Sequence, residues 1–129
     1  KTLLTPNHAN PDYVRYELHR TWVIEANLKQ GQRHVYGKRR FYIDEDSWQI
    51  VLTENYDGRG NLWRTGVFTT LYDFALKGYV ARAQMYHDLN SGAYLAARLV
   101  NETAQPNLMG TPRGDAYYSP SSLRTMGTR

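Results

Sequence analysis

The sequence predicts an all-β protein built on one open, strongly curved antiparallel sheet, with a short helix near the C-terminus. Apolar residues recur at every second position in several segments of residues 15–102, a period typical of strands with one buried face. Turn-forming acidic and Asp-Gly sequences separate these segments, as in β-hairpins. One strand-and-turn pattern occurs twice, at an offset of 44 residues.

The chain of 129 residues has the size of one domain. We divide it into an irregular lead-in (1–14), a hairpin meander (15–102) and an irregular tail (103–129). The absence of cysteine excludes disulfides and thiol chemistry, and no apolar run approaches the roughly 18 residues of a membrane span. The first residue is Lys1 and no signal peptide precedes it, so we expect a processed protein or a piece of a longer one.

The first predicted strand is "RYELHRTWVIEANL", residues 15–28. One parity of this segment is apolar except for Arg20, which predicts a buried face. Fourteen extended residues would span roughly 46 Å, whereas a domain of this size has a radius of gyration near 14 Å, by the scaling of compact domains. A straight strand would protrude, so we expect a strongly coiled sheet.

Further strands and turns follow in order along the meander. An excursion over 70–79 is expected to interrupt them. The predicted strands are 34–44, 48–57, 61–69, 80–88 and 93–102, with hairpin turns at 44–47, 57–60 and 88–92.

The repeat pairs "FYIDEDSWQIVL" (41–52) with "MYHDLNSGAYLA" (85–96). Both copies place Asp, Asp or Asn, and Ser at the turn, where their side chains can bond nearby backbone N–H groups. Asp44 and Asp46 also resemble the start of a calcium loop, but the distal bidentate Glu is missing. We therefore interpret both acidic turns as capped hairpins and predict no metal site.

The tail contains Pro106, Gly110 and Pro112, which break regular structure. One short helix is predicted there, with Ser119 as N-cap, Pro120 in the first turn and Gly127 at the end. Six strands are too few to close a barrel around a ligand, which takes about eight. The sheet edges must then be covered by further sequence or by a homodimer formed through a sheet edge.

No catalytic site or cofactor is predicted, because the chain lacks a nucleophile elbow, a P-loop and a dinucleotide-binding fingerprint. None of the four histidines has metal-ligand spacing, and we interpret them as surface residues.

The tryptophans admit two interpretations, core packing or the lining of an apolar cleft on the concave face of the sheet. The cleft interpretation gives a candidate hydrophobic ligand site. Arg20 interrupts an apolar face, so we expect it to form a buried ion pair with Glu54 or to contact a ligand head group. The predicted cleft residues are Trp22, Ile24, Trp48, Ile50, Leu52 and Trp63.

A basic run, "KQGQRHVYGKRR" (29–40), precedes an acidic stretch in a chain of net charge +4. Ion pairing between neighbouring strands is the favoured interpretation, ahead of a patch for nucleic acid or anionic lipid.

The string "YVRYELHRTWVIEANLKQGQRHVYGKRRFYIDEDSWQIVLTENYDGRGNLWR" and the tail "YYSPSSLRTMG" resemble the C-terminal part of a proteobacterial envelope family of unassigned function. That family is grouped with the LolA/LolB-like outer-membrane lipoprotein-sorting proteins. The resemblance implies a half-barrel of antiparallel strands and a periplasmic or outer-membrane-associated location in a Gram-negative cell. It supplies no catalytic residues.

We therefore predict a non-catalytic binding or carrier protein for lipid, lipoprotein acyl chains or another hydrophobic molecule. The alternative is an envelope interaction module that pairs with a partner protein, such as an exporter, through its sheet edges. Nucleic acid is the least favoured partner, and an enzyme has the weakest support.

Overall fold

A computed structural model describes residues 2–99 and 113–127. Six strands form one open sheet in chain order, each antiparallel to the next, which confirms the predicted fold class. Register shifts interrupt three of the five strand pairs, and such bulges increase local twist. The strands are β1 (Thr21–Asn27), β2 (Lys38–Asp44), β3 (Ile50–Tyr56), β4 (Leu62–Asp73), β5 (Gly78–Asp88) and β6 (Tyr94–Ala97).

Several strand boundaries differ from the prediction. β2 begins at Lys38 instead of residue 34, β6 ends at Ala97, and two further differences are larger. β1 is half as long as expected. Residues 15–20 have no partner strand opposite them, and a strand requires backbone hydrogen bonds to a neighbouring strand. The prediction of an excursion over 70–79 is wrong. β4 and β5 continue through this region and pair from Thr70↔Ala81 to Asp73↔Gly78. Residues 100–102 of the last predicted strand and 103–112 of the tail lie outside the described residues.

The three predicted hairpin turns are confirmed, since each joins two antiparallel neighbours. The predicted helix is also confirmed as α1 (Pro120–Gly127), where Ser119 Oγ accepts a hydrogen bond from the Ser122 N–H at 3.2 Å. Within the described ranges, no helix combines the length and apolar character that crossing a bilayer requires.

The two faces of the sheet have different surroundings. One face carries Leu52, Val67 and Met85 as successive cross-strand neighbours; the lead-in packs over part of it, and we call it the covered face. The opposite face carries Ile24 and Phe41 among its members, and we call it the open face.

Glycine is required where the open face is most crowded. A Cβ on Gly66 would lie 2.7 Å from the Thr53 Oγ1 atom and 3.0 Å from the Phe68 ring. The Phe68 ring instead packs edge-to-face on Tyr86, with centroids 5.5 Å apart.

Burial is much lower than the apolar pattern of the strands predicts. In the described part of the chain, Met85, at 5% exposure, is the one buried apolar side chain. The predicted buried face of β1 is wrong, because Trp22 is 54% and Ile24 is 48% exposed. β1 is an edge strand, and no described segment packs over its apolar side chains.

Candidate functional site

A cavity lies between the lead-in and the covered face of β4 and β5. Its volume is about 640 Å³, within the range of small-molecule sites. Apolar and aromatic side chains form most of its wall, and its few polar groups include two imidazoles. The lining residues are Leu3, His8, Ala9, Pro11, Tyr13, Val14, Arg15, Tyr16, Val67, Thr69, Thr70, Ala83, Met85 and His87.

Several local contacts hold the lead-in in a fixed conformation. An antiparallel bridge joins Leu4 to Ala9, and the Asn10 side chain accepts a hydrogen bond from the Asp12 N–H at 3.0 Å. The Tyr94 hydroxyl on β6 donates to the Thr5 carbonyl at 2.9 Å and ties the lead-in to the sheet. These contacts turn an irregular segment into one wall of the cavity.

The cavity disfavours charge at the His87 imidazole. Burial lowers the pKa of His87, and the nearby His8 lowers it further. The His87 ring stacks on Tyr94 with an interplanar angle of 14°. A neutral, stacked imidazole gives this wall an apolar surface with one polar edge.

The six predicted cleft residues do not line this cavity. Trp22 and Ile24 lie on the open face, whereas Leu52 lies on the covered face beside Val67, which does line the cavity. The alternating positions of Trp48, Ile50 and Leu52 in the sequence predict that their side chains share one face of the third strand, and this prediction is wrong. Trp48 belongs to the turn before β3, and a register shift near Ile50 breaks the alternation.

Trp63 is held in a polar cluster. Its Nε1–H donates to the Asp88 carboxylate at 3.0 Å, and its ring meets Tyr36 edge-to-face at 5.7 Å. The Arg64 guanidinium lies 4.3 Å from the Trp63 ring centroid and also donates to Asp88. The Arg64 hydrogen bond, followed by that of the Ser91 N–H, lowers the pKa of Asp88 to about 2.

The expected ion pair between Arg20 and Glu54 is wrong. Arg20 donates to Glu45 at 2.8 and 3.0 Å, and its side chain is 87% exposed. Glu54 accepts a hydrogen bond from the Tyr56 hydroxyl and pairs with Arg40 at 3.6 Å. Arg20 precedes β1, so the strand parity that placed it on an apolar face does not apply to it.

His19, Asp44 and Asp46 bring three potential ligand atoms within 4.8 Å of one another. Asp44 is 3% exposed, and both of its carboxylate oxygens already have partners. One oxygen lies 2.9 Å from the His19 Nδ1 atom, and the other accepts from the N–H and hydroxyl of Ser47. Anchoring of the turn therefore accounts for this cluster.

Sequence reasoning missed the lead-in as a cavity wall. The signal was present, because Leu3, Tyr13 and Val14 are apolar or aromatic residues in a segment that looked irregular. Apolar side chains without strand periodicity still need an apolar neighbour.

Comparison with known proteins gives one family match. The family described as "Protein of unknown function (DUF1329)" matches residues 1–124. Among curated proteins, the chain is 42% identical to the uncharacterized protein PA3922 of Pseudomonas aeruginosa over 98% of its own length. It spans 28% of the length of that relative.

Two crystal structures are similar to part of this chain. A DUF1329 family protein from Desulfovibrio piger matches 80% of this chain and 40% of its own, with 14% identity and a TM-score of 0.49. A protein domain from Vibrio parahaemolyticus named for outer-membrane lipoprotein sorting matches 73% of this chain and 49% of its own. Its identity is 15% and its TM-score is 0.44.

Proposed function

We propose that this chain, which belongs to the DUF1329 family, binds a hydrophobic molecule in the cavity between its lead-in and its sheet. The observation that carries the proposal is the cavity of about 640 Å³ and its mostly apolar lining. A cavity of this kind favours an apolar ligand, because ligand burial removes apolar surface from water on both sides. The lowered pKa of His87 agrees with a neutral, apolar interior.

The proposed activity is carriage or binding without chemistry. The two cavity imidazoles lack an arrangement typical of catalysis, since His87 stacks on Tyr94 and His8 bonds the Ala9 carbonyl. A general base or a nucleophile would need a hydrogen-bonded partner group oriented toward a substrate. The proposed ligand classes are lipids, acyl chains and comparable hydrophobic molecules.

The proposed location is the periplasm or the outer-membrane surface of a Gram-negative cell. The resemblance of the sequence to an envelope protein family supports this location. Fractionation of cells that express the parent protein at its native level tests it, and recovery in the cytosol alone would contradict it.

Titration with a fluorescent fatty-acid probe tests the ligand site. Ala83 lines the cavity, so Ala83→Leu should fill part of it and weaken probe binding by about tenfold, through lost volume and contact area. Trp22→Ala is the matched control, because Trp22 is a large apolar side chain on the open face. It should leave probe affinity unchanged within about twofold, a small free-energy difference.

The opposite result would move the ligand site to the open face, where the structure has Trp22. Loss of affinity in Trp22→Ala, with none in Ala83→Leu, would contradict the cavity as the ligand site. Absence of probe binding by the wild-type protein would contradict the carrier function itself.

The outer edge of β1 favours a second candidate function, docking of a partner strand. Among the described strands β1 pairs only with β2, and its apolar Trp22, Val23 and Ile24 are exposed. An unpaired edge with exposed apolar residues can accept a strand from another chain or from further sequence of the same protein. A concentration-dependent dimer that Val23→Pro abolishes would identify a second copy as the occupant.

A further inference from the structure

The basic run divides between the two faces of the sheet because consecutive strand residues alternate. Lys38 and Arg40 lie on the covered face and pair with Glu25 at 3.5 and 3.2 Å, as strand-to-strand ion pairing predicts. Arg40 also approaches Glu54 at 3.6 Å. Arg39 lies between Lys38 and Arg40 in sequence and therefore on the open face.

Arg39 has no carboxylate partner among residues 2–99 and 113–127. Its neighbours across the strands are Ala26 and Asn55, which are uncharged. Two acidic residues of nearby turns are already satisfied. Asp57 accepts from the backbone N–H groups of its own turn, and Asp88 pairs with Arg64.

Arg39 and His34 present hydrogen-bond donors side by side. The His34 Nδ1 atom accepts the Tyr36 N–H at 3.0 Å, which places the hydrogen of the neutral imidazole on Nε2. The Arg39 Nη2 atom lies 2.9 Å from Nε2 and 3.5 Å from Nδ1, so it sits beside the imidazole ring and not in line with the Nε2–H. Among the described residues, neither the Nε2–H nor the guanidinium has an oxygen acceptor.

Neighbouring groups fix the two donors. The Arg39 guanidinium stacks over the Tyr36 ring at 5.0 Å, and the Tyr36 hydroxyl accepts from Arg64 at 3.2 Å. Gly37 anchors the segment to β3, because its N–H donates to the Tyr56 carbonyl. The backbone packs closely there, since a Cβ on Gly37 would lie 3.0 Å from the Asp57 carbonyl oxygen. The donor pair is thus held in place while the His34 side remains exposed to solvent.

We propose that Arg39 and His34 form a binding site for a phosphate group on the open face of the sheet. A phosphate oxygen facing both donors would accept from the Arg39 fork and from the His34 Nε2–H, and its charge would match the unpaired guanidinium. The phosphate can be free or can belong to a lipid head group, whose chains would then lie on the exposed Trp22 and Ile24 nearby. This site is independent of the cavity on the covered face.

Titration with inorganic phosphate tests the site directly, with binding followed by calorimetry and by the NMR signal of the Arg39 side chain. The wild-type protein should bind phosphate saturably. Arg39→Gln should weaken binding about tenfold or more, because a charge-assisted hydrogen bond is lost. Arg40→Gln is the matched control, since it removes the same charge from the opposite face and should change affinity by less than about threefold, mainly through the long-range field.

His34→Phe gives a second variant that keeps an aromatic ring next to Tyr36 and Arg39 but removes the Nε2–H. It should also weaken phosphate binding, while its melting temperature verifies folding. Equal losses in the Arg39 and Arg40 variants would reduce the effect to net charge and would overturn the site. Failure of the wild-type protein to bind either inorganic phosphate or the vesicles described below would overturn it as well.

Vesicles distinguish the two sources of the phosphate. If the group belongs to a lipid, phosphatidylcholine vesicles that contain phosphatidic acid should bind the protein, inorganic phosphate should compete, and Arg39→Gln should abolish the difference from pure phosphatidylcholine. If the phosphate is free, inorganic phosphate binds and both vesicles behave alike. The fatty-acid titration of the cavity is unaffected by Arg39→Gln in either case, so the two sites can fail separately.

Discussion

The turns that follow β2 and β5 are two copies of one structure, 44 residues apart. In the first, Asp44 donates its N–H to the Gln49 carbonyl and accepts from the Trp48 N–H with its own carbonyl. In the second, Asp88 makes the equivalent bonds with Ala93 and Gly92, at closely similar distances. The aspartate side chain also accepts from the serine three residues later in both copies.

The copies differ at the position that needs a left-handed backbone. Gly92 adopts φ +71° in the second turn, and Trp48 adopts φ +56° at the equivalent position of the first. Glycine reaches this region without cost, whereas a side chain with a Cβ costs about 1–2 kcal/mol there. The hydrogen bonds of the turn, rather than the residue at this position, therefore impose the backbone conformation.

The environments of the two aspartates differ as well. Asp44 is almost completely buried and contacts His19. Hydrogen bonds from Ser47 and His19 lower its pKa although burial acts in the opposite direction. Asp88 has 20% of its side chain exposed and holds Arg64 and the indole of Trp63. The same local motif thus serves two different tertiary contacts.

The largest expected difference comes from removing each aspartate. Asp44→Ala should cost about 2–3 kcal/mol of unfolding free energy, because it leaves the half-buried Ser47 N–H without its acceptor and removes a charge-assisted bond to His19. Asp88→Ala should cost less, since water can reach its former partners. Urea denaturation of both variants measures the difference, and a larger loss in Asp88→Ala would contradict the ranking by burial.

A smaller effect is expected at the glycine of the second turn. Gly92→Ala should destabilise the protein by about 1–2 kcal/mol through backbone strain, and the added Cβ would lie 3.1 Å from the Asn7 side chain of the lead-in. Gly58→Ala is the control, because its φ is not positive and nothing lies within 4 Å of its Cβ position. It should be neutral or stabilising, by up to about 1 kcal/mol. Equal losses at both sites would argue against strain as the cause.

The turns could be predicted from the sequence because their determinants are local. An aspartate, a serine three residues later and an Asp-Gly pair specify their own backbone bonds. The N-cap of α1 at Ser119 is local in the same sense. The alternating apolar pattern likewise gave the six strands and their antiparallel order.

Burial and the candidate site could not be predicted, because they depend on contacts between distant segments. The lead-in wall depends on the bond between Tyr94 and Thr5, which are 89 residues apart, and no periodicity signals such a contact. Strand parity indicates which side chains share a face but not what covers that face. Trp22 and Ile24 therefore have the sequence pattern of buried core residues, although both side chains are exposed to solvent. The donor pair of Arg39 and His34 requires the imidazole tautomer with its hydrogen on Nε2. The hydrogen bond from the Tyr36 N–H to Nδ1 selects this tautomer, and that bond depends on the folded backbone.

The smallest expected effect is the sharpest test of the comparison, because its sign is unusual. Replacing Ala by Gly ordinarily lowers stability by about 0.5–1 kcal/mol, through the greater freedom of the unfolded chain. At position 48 the left-handed backbone should reverse this order, so Trp48→Gly should be more stable than Trp48→Ala by up to about 1 kcal/mol. The Trp48 ring is 73% exposed, so its removal should cost little in either variant. The difference between the two unfolding free energies then measures the backbone contribution alone. An alanine variant as stable as the glycine variant would show that the first turn relaxes away from φ +56° once the tryptophan is gone, and that the two turns match less closely than their hydrogen bonds indicate.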